Sequence, residues 1–168
     1  MRFDMESHEE MIRDLKTFPL LSRLSDGDLT LLAEVMREQN FSAGTEILRE
    51  GETGEEMYLL LEGSVDVLKT TPFGEPYVTA SLQDSYHCSF GEMALIDKGT
   101  RSATIRAKTD CRTLCLDYAA FQEFCRQYPH IGLELLMSIS VTLVRDLRRE
   151  NDNLHIVYQA LIEEIENG

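Results

Sequence analysis

Three patterns of apolar and polar positions follow one another along the chain. In residues 6–17, Met11, Ile12 and Leu15 form a modest helical stripe on a polar background, which Phe18-Pro19-Leu20-Leu21 interrupts. Ser25-Asp26-Gly27-Asp28 then opens a second predicted helix, with Ser25 as N-cap and Asp28 three residues on, as in a capping box. Its apolar face is Leu29, Leu32, Ala33 and Met36. From Asn40 the helical period gives way to short apolar runs at Phe41, Ile47-Leu48, Met57 to Leu61, Val65 to Leu68, Tyr77 to Leu82, Thr104 to Ala107 and Thr113 to Leu116. Turn signals separate them, among them Ala43-Gly44, Gly51, Gly54, Glu62-Gly63-Ser64, Thr71 to Glu75, Gly91 and Gly99. Seven or eight strands this short and evenly spaced predict an antiparallel sandwich or barrel, not alternating βα units.

From Tyr118 the helical period returns and runs to the end. Leu133, Leu136, Ser140, Leu143, Leu147, Leu154, Tyr158, Leu161 and Ile165 keep a three-four spacing that resembles a heptad seam, with a polar slot near Glu150-Asn151. The alternative is a long helix packed on its own domain. Arg148 to Asn153 is wholly polar and marks a point where the tail could divide, giving a long C-terminal helix or a helix pair. The expected organisation is a β unit with N-terminal helices over 1–127 and a C-terminal lever, or dimerisation helices, over 128–168. No DNA-reading or catalytic unit is expected beyond it.

Charge narrows the function classes. The 168 residues carry 16 basic and 30 acidic side chains, a formal net charge of −14. Affinity for nucleic acid rests on neutralising many phosphates, so a chain this acidic is a poor partner for DNA or RNA. It is equally ill suited to an anionic membrane surface. No apolar run approaches the ~20 residues of a membrane span, and Met1 to Glu10 lacks the apolar core of a secretory signal, so a cytoplasmic protein is expected. Cys88, Cys111, Cys115 and Cys125 lack zinc-site spacing and read as small buried hydrophobes. His8, His87, His130 and His155 do not cluster, and nucleophile-elbow, H-E-x-x-H and P-loop motifs are missing. The expectation is no enzyme, no metal and no cofactor.

The chemistry concentrates in Phe90-Gly91-Glu92-Met93-Ala94-Leu95-Ile96-Asp97-Lys98-Gly99-Thr100-Arg101-Ser102-Ala103-Thr104. Gly91 lets backbone approach a ligand. The turn from Glu92 to Leu95 offers N–H groups to an anion. Glu92, an acceptor only, suits a sugar hydroxyl and repels a phosphate. Arg101 presents a planar fork for an oxyanion, Ser102 adds a hydroxyl and Ala103 leaves room. Together they describe a pocket for a nucleotide monophosphate. From Arg101 to Arg126 five bases meet three acids, a local net of +2, whereas Glu50 to Asp66 holds six acids and no base.

Phe90 to Leu95 followed by Arg101-Ser102-Ala103-Thr104 resembles the phosphate-binding cassette of the cyclic nucleotide-binding domain, the module of catabolite activator proteins, protein kinase A regulatory subunits and cyclic nucleotide-gated channels. Phe18 to Ser25, Phe41 to Leu48, Glu50-Gly51-Glu52 and Met57 to Val65 match the same family. The resemblance implies a mainly β fold with flanking helices (α+β), an eight-stranded, jelly-roll-like, cupin-like double-stranded β-roll. It implies a ligand site at Phe90, Gly91, Glu92, Met93, Ala94, Arg101, Ser102 and Ala103. Glu92 would take the ribose 2′-hydroxyl, Arg101 the cyclic phosphate, and N–H groups near Gly91, Met93 and Ala94 would complete a phosphate nest. A hydroxyl at Ser102 tilts slightly toward cGMP over cAMP.

Two departures from the family pattern stand out. Gln83 to Gly91 is about two residues longer than usual and has no glycine before Gly91, in a loop expected to border the ligand. Thr100 replaces a proline, which loosens the backbone before Arg101. Tyr86 and His87 in that loop read as edge polarity, and Ser138 and Thr142 on the long helix as surface or interface polarity. The resulting expectation is a sensor of cAMP or cGMP that signals through residues 118–166 to a protein partner or, as a homodimer, to self-association. The competing reading is a β-roll scaffold with a silent pocket. A cupin-type enzyme lacks the histidine cluster it would need.

Overall fold

The computed structural model describes residues 5–167. Helix α1 (Met5–Thr17) is followed by a 3-10 turn (Pro19–Leu21) and α2 (Asp26–Ala33). Ser25 caps α2 as its sequence predicts: its Oγ accepts from Asp28 N–H, and its own N–H donates to the Asp28 carboxylate at 3.0 Å. The Ser25 hydroxyl, which also donates to the Asp28 carboxylate at 2.7 Å, and the Ser25 N–H hold that carboxyl below its ordinary pKa. The helix stops at Ala33, so Met36 reaches the core from the turn behind it.

Eight strands follow: β1 (Arg37–Phe41), β2 (Glu46–Leu48), β3 (Glu56–Glu62), β4 (Ser64–Thr70), β5 (Pro76–Gln83), β6 (Ser89–Phe90), β7 (Thr104–Ala107) and β8 (Cys111–Asp117). They form two antiparallel four-stranded sheets, ordered β1-β8-β3-β6 and β2-β7-β4-β5. Helix α3 (Ala94–Asp97) lies between β6 and β7, and α4 (Tyr118–Gln127) and α5 (Pro129–Asn167) complete the chain. This is the β-roll with N-terminal helices and a long C-terminal helix.

The first sheet is the middle layer, which explains the unbroken apolar run of β3. Successive side chains on a strand point to opposite faces. Met57 and Leu59 join a core with Leu15, Phe18, Leu29, Leu32, Phe121, Ile131, Leu135 and Ile139 from the helices. Tyr58 and Leu60 face the second core, between the sheets, with Val65, Phe90, Ile105, Cys111 and Cys115. Strand β8 divides in the same way, Leu114 and Leu116 to the helices and the two cysteines into the roll. The cysteines are unpaired, and burial pushes all four thiols up, Cys88 to about 11, so they are not poised as thiolates.

The C-terminal tail is one continuous helix, not a pair. Arg148 to Asn153 contains neither proline nor glycine, and Arg149 pairs with Asp146 one turn back at 3.1 Å, so nothing there interrupts the hydrogen-bond ladder. Ser138 is buried and Thr142 half-buried on the face turned to the domain, and Thr142 Oγ1 donates to Ser138 O at 3.1 Å. None of the described helices is long and apolar enough to cross a membrane.

Candidate functional site

The site forms where the start of β3, the end of β6 and the segment before β7 converge. Register places Tyr58 opposite Phe90, and the next residue, Gly91, turns away with a φ of 79°. A side chain there would have its Cβ 2.8 Å from Glu56 O and 3.0 Å from Arg101 Nη1, so glycine is required by conformation and by space. The turn 91–94 closes by Ala94 N–H donating to Gly91 O at 3.1 Å, and α3 follows. Without ligand, the Ala94 N–H is thus engaged in the turn. Its side chain is buried, whereas that of Met93 is exposed.

Arg101 is the buried cation of this region, with only 6% of its side chain exposed. Nη1 donates to Gly91 O at 3.3 Å, and Nη2 lies 3.6 Å from a Glu56 carboxylate oxygen. The guanidinium lies against Gly54, where a Cβ would fall 2.2 Å from Nε. Burial lowers the arginine's pKa; Glu56 and, more weakly, Tyr58 and Cys115 oppose that. A buried cation with one long ionic contact is under-compensated, and an incoming anion relieves that cost. Tyr58 stacks on Phe90 at 5.4 Å and meets Phe41 edge-on at 5.8 Å, forming an aromatic wall behind the arginine.

The missing proline at position 100 is replaced by backbone pairing. Thr100 bridges Thr53, Arg101 N–H donates to Glu52 O at 2.8 Å and Gly51 N–H to Arg101 O at 2.9 Å. The ladder restrains the backbone that a proline ring would otherwise restrain. Beyond it, Lys69 donates to the Ser102 carbonyl and pairs with Glu50 at 3.2 Å, while the Ser102 side chain is exposed and Ala103 half-buried. A cavity of about 220 Å³ opens beside Arg101, lined by Ile47, Leu48, Arg49, Glu52, Thr53 and Gly54 among others.

Glu92 sits in the turn but does not pair with Arg101. It is half-buried, and burial pushes its carboxyl above the ordinary range, with Asp146 of α5 adding to the shift. Its own backbone N–H partly offsets that shift; as an acceptor only, the carboxylate has further room for a donor.

The positive patch expected between Arg101 and Arg126 is paired off. Arg106 bonds Glu46 at 2.9 Å, Lys108 lies 3.6 Å from Asp66, Arg112 bonds Glu62 at 2.8 Å and Arg126 bonds Glu123 at 2.8 Å. Each of the six acids from Glu50 to Asp66 likewise meets a cation, Glu52 pairing with Arg49 and Glu55 with Lys98. The charges around Arg101 are therefore neutralised in pairs and give no net positive patch.

The long loop is ordered and lies away from Arg101. Asp84 N–H donates to Gly63 O at 3.0 Å, and Gly63 N–H to the Asp84 carboxylate at 2.9 Å. These bonds fasten the loop to the β3–β4 turn, at the opposite end of β3 from Glu56, roughly 20 Å along the strand at 3.3 Å per residue. His87 supplies the left-handed residue that a glycine usually gives (φ 47°), with its ring edge-on to Phe18 at 6.0 Å. Tyr86 is exposed.

Gly54, Glu56 and Lys98 take part in or next to the site without a local sequence signal. Lys98 caps α3 in the left-handed conformation, bonds Glu55 at 3.0 Å and lies 4.1 Å above the Tyr118 ring at the start of α4. Leu95 of α3 enters the helical core with Phe121, Leu135 and Ile139, and with them borders a void of about 10 Å³. Among the described residues, no three His, Cys, Asp or Glu side chains gather as a metal site.

Comparison with known proteins agrees with this geometry. The family model of the cyclic nucleotide-binding domain matches residues 38–128. A cyclic nucleotide-gated potassium channel of Mesorhizobium japonicum is 35% identical over 114 residues, 68% of this chain and 30% of the channel. A cAMP-dependent protein kinase regulatory subunit of Yarrowia lipolytica is 36% identical over 108 residues, 64% of this chain and 28% of the subunit. The chain thus spans under a third of the length of these relatives. The crystal structure of the N-terminal domain of a transcriptional regulator from Streptomyces coelicolor superposes with a TM-score of 0.70 at 30% identity, covering 84% of this chain and 94% of that domain. Fold, cassette geometry and these likenesses agree: the chain belongs to the cyclic nucleotide-binding domain family.

Proposed function

We propose that the protein is a cyclic nucleotide sensor, binding cAMP or cGMP and passing occupancy to its C-terminal helix. The observation that carries this reading is Arg101, a buried guanidinium with an under-compensated charge, fixed by Gly54 and Gly91 at the mouth of a cavity. The cyclic phosphate pairs with Arg101 beside the Gly91–Met93 backbone, Glu92 accepts from the ribose 2′-hydroxyl, and Ala103 leaves room for the ligand. Phe90 packs the floor, and the exposed Ser102 hydroxyl is available to a purine edge. This is binding chemistry, with no enzymatic step. The free thiols suit a reducing compartment, and we place the protein in the cytoplasm.

The relay runs through α3. Ligand pulls on the 91–94 turn, Leu95 shifts in the core it shares with Phe121, Leu135 and Ile139, and the Lys98 contact carries the movement to Tyr118. The void beside Leu95 gives these side chains room to repack. A ligand moves the equilibrium only by its difference in affinity for the two arrangements. The output is a partner protein or self-association through α5.

Thermal denaturation with cAMP, cGMP and non-cyclic nucleotides tests the reading. At 100-fold over its dissociation constant the ligand adds ~2.7 kcal/mol, a rise of about 5–11 °C for a chain of this size. A flat response to every nucleotide would overturn the sensor in favour of a scaffold with a silent pocket.

A further inference from the structure

Just after Arg101 the chain stands off from the sheet. Strands β4 and β7 pair from Val65 opposite Ala107 to Leu68 opposite Thr104. One further step of that antiparallel ladder would set Ala103 opposite Lys69, and the next Ser102 opposite Thr70. Neither step is taken. Ser102 and Ala103 form a bend, and among the described residues no backbone N–H reaches the Ser102 carbonyl. The backbone on either side is fixed. Arg101 N–H donates to Glu52 O and its carbonyl accepts from Gly51 N–H, while Thr104 lies in the ladder.

The side chain of Lys69 spans the gap. Its Nζ donates to the Ser102 carbonyl and pairs with Glu50 at 3.2 Å. Glu50 is itself held at two points. Its other carboxylate oxygen accepts from Thr70 N–H at 2.8 Å, and its own N–H donates to Thr104 Oγ1 at 3.0 Å. Lys69 and Glu50 thus brace the bend from the strand it has left. The sheet itself does not need this brace. Strand β4 is hydrogen-bonded on both edges, to β5 and to β7, so backbone already sets its place. A Lys–Glu pair with side chains 42% and 27% exposed adds little to stability. What the brace fixes is the peptide group that follows Ser102. Each residue has two soft backbone dihedrals, so without that bond the bend is free to turn at Ser102, and its exposed hydroxyl turns with it.

We propose that Lys69 is a positioning residue of the nucleotide site: by anchoring the Ser102 carbonyl it fixes where the Ser102 hydroxyl is presented, and so sets the preference between guanine and adenine cyclic nucleotides. This rests on the reading of the site as a cyclic nucleotide pocket. Guanine carries an exocyclic amino donor on the carbon between two ring nitrogens, where adenine has only hydrogen. A hydroxyl oxygen accepts from such a donor. A hydroxyl already held in place does so without the ordering cost that a loose bend would have to meet. The phosphate end is fastened independently, Arg101 by Glu52 and Gly51 through its backbone and by Gly91 and Glu56 through its guanidinium. Loss of the brace therefore acts on the base and not on the phosphate.

Titration calorimetry of the full chain with cGMP and with cAMP tests this. Lys69→Met keeps the aliphatic stem and removes the donor and its charge. It should weaken cGMP by about 2- to 13-fold, the range for one lost hydrogen bond, and leave cAMP within about twofold. Lys69→Arg keeps a cation and donors for the Ser102 carbonyl and should return the native ratio of the two affinities. Ser102→Ala should lower that ratio as far as Lys69→Met does, and the double variant no further, because both remove the same interaction. A ratio unchanged by Lys69→Met, whether both affinities hold or both fall alike, overturns the proposal. So does a Lys69→Arg variant that behaves as Lys69→Met, or a double variant in which the two effects add. A native chain that binds neither nucleotide overturns the cyclic nucleotide reading and this role with it. A native chain that binds both, with a ratio indifferent to Lys69, overturns this role alone.

Discussion

The two ends of the β3–β6 pair meet different demands. At one end Gly91, Glu56 and Gly54 crowd a buried arginine, with one backbone acceptor and one long ionic contact to compensate it. At the other, Asp84 and Gly63 exchange hydrogen bonds that satisfy each other. The first end carries an unmet electrostatic need at the cost of local stability. The second is a closed structural joint. Departure from a family's usual length matters functionally only at the first kind of place, and in this chain it falls at the second.

Five substitutions probe that contrast. The largest effect is expected from Arg101→Ala, which should abolish the nucleotide-induced rise in melting temperature. Arg101→Lys should restore little, because a point charge lacks the planar fork. A retained shift would move the phosphate site elsewhere. Next is Gly54→Ala, whose methyl cannot coexist with the guanidinium in place. Losing one charge-assisted bond costs about 1.5–3 kcal/mol, so titration calorimetry should show affinity falling about 10–150-fold. Asp84→Ala should cost about 1–2 kcal/mol of stability in urea denaturation and leave nucleotide affinity unchanged. A large loss of affinity there would erase the distinction between the two ends.

The smallest effect belongs to Glu92→Gln in the ligand-free protein. Burial raises the folded-state pKa of Glu92, so folding disfavours its ionised form. Stability is therefore lost as pH rises from the ordinary carboxylate range through the raised value. The glutamine variant should melt slightly above the native chain at neutral pH, and the gap should close as pH falls to the ordinary carboxylate range. The same variant should bind nucleotide more weakly. A variant melting below the native chain at neutral pH would show that the carboxylate is stabilised by a partner.

The parts of this fold that were legible are those whose cause is local. The Ser25–Asp28 box and the Gly63 and Gly74 turns follow from short-range chemistry, whereas the division of β3 and β8 between two cores follows from the layers packed on both faces of their sheet. Strand β1 was visible only at Phe41, because Arg37 to Asn40 is polar and is held as an edge strand by its pairing with β8. Strand β6 is two residues long and exists because β3 lies beside it. At the site, the cassette motif located Glu92 and Arg101, but not that Glu92 faces Asp146, nor that Gly54 and Glu56, from a separate segment, position the arginine. The loop at Ser85 looked adjacent to the ligand because it precedes Gly91 in sequence. The short β6 carries the chain along β3 and separates them in space.

The pairing of every acid from Glu50 to Asp66 with a nearby cation has a kinetic consequence. With its neighbourhood neutralised, Arg101 attracts an anion only at contact range. Farther out, an approaching nucleotide meets the repulsion of a chain with net charge −14. Added salt screens that repulsion over a Debye length of about 8 Å at physiological ionic strength. Association should therefore quicken as salt is raised, opposite to a receptor that steers its ligand, while residence time, set by the sheltered arginine, stays nearly constant.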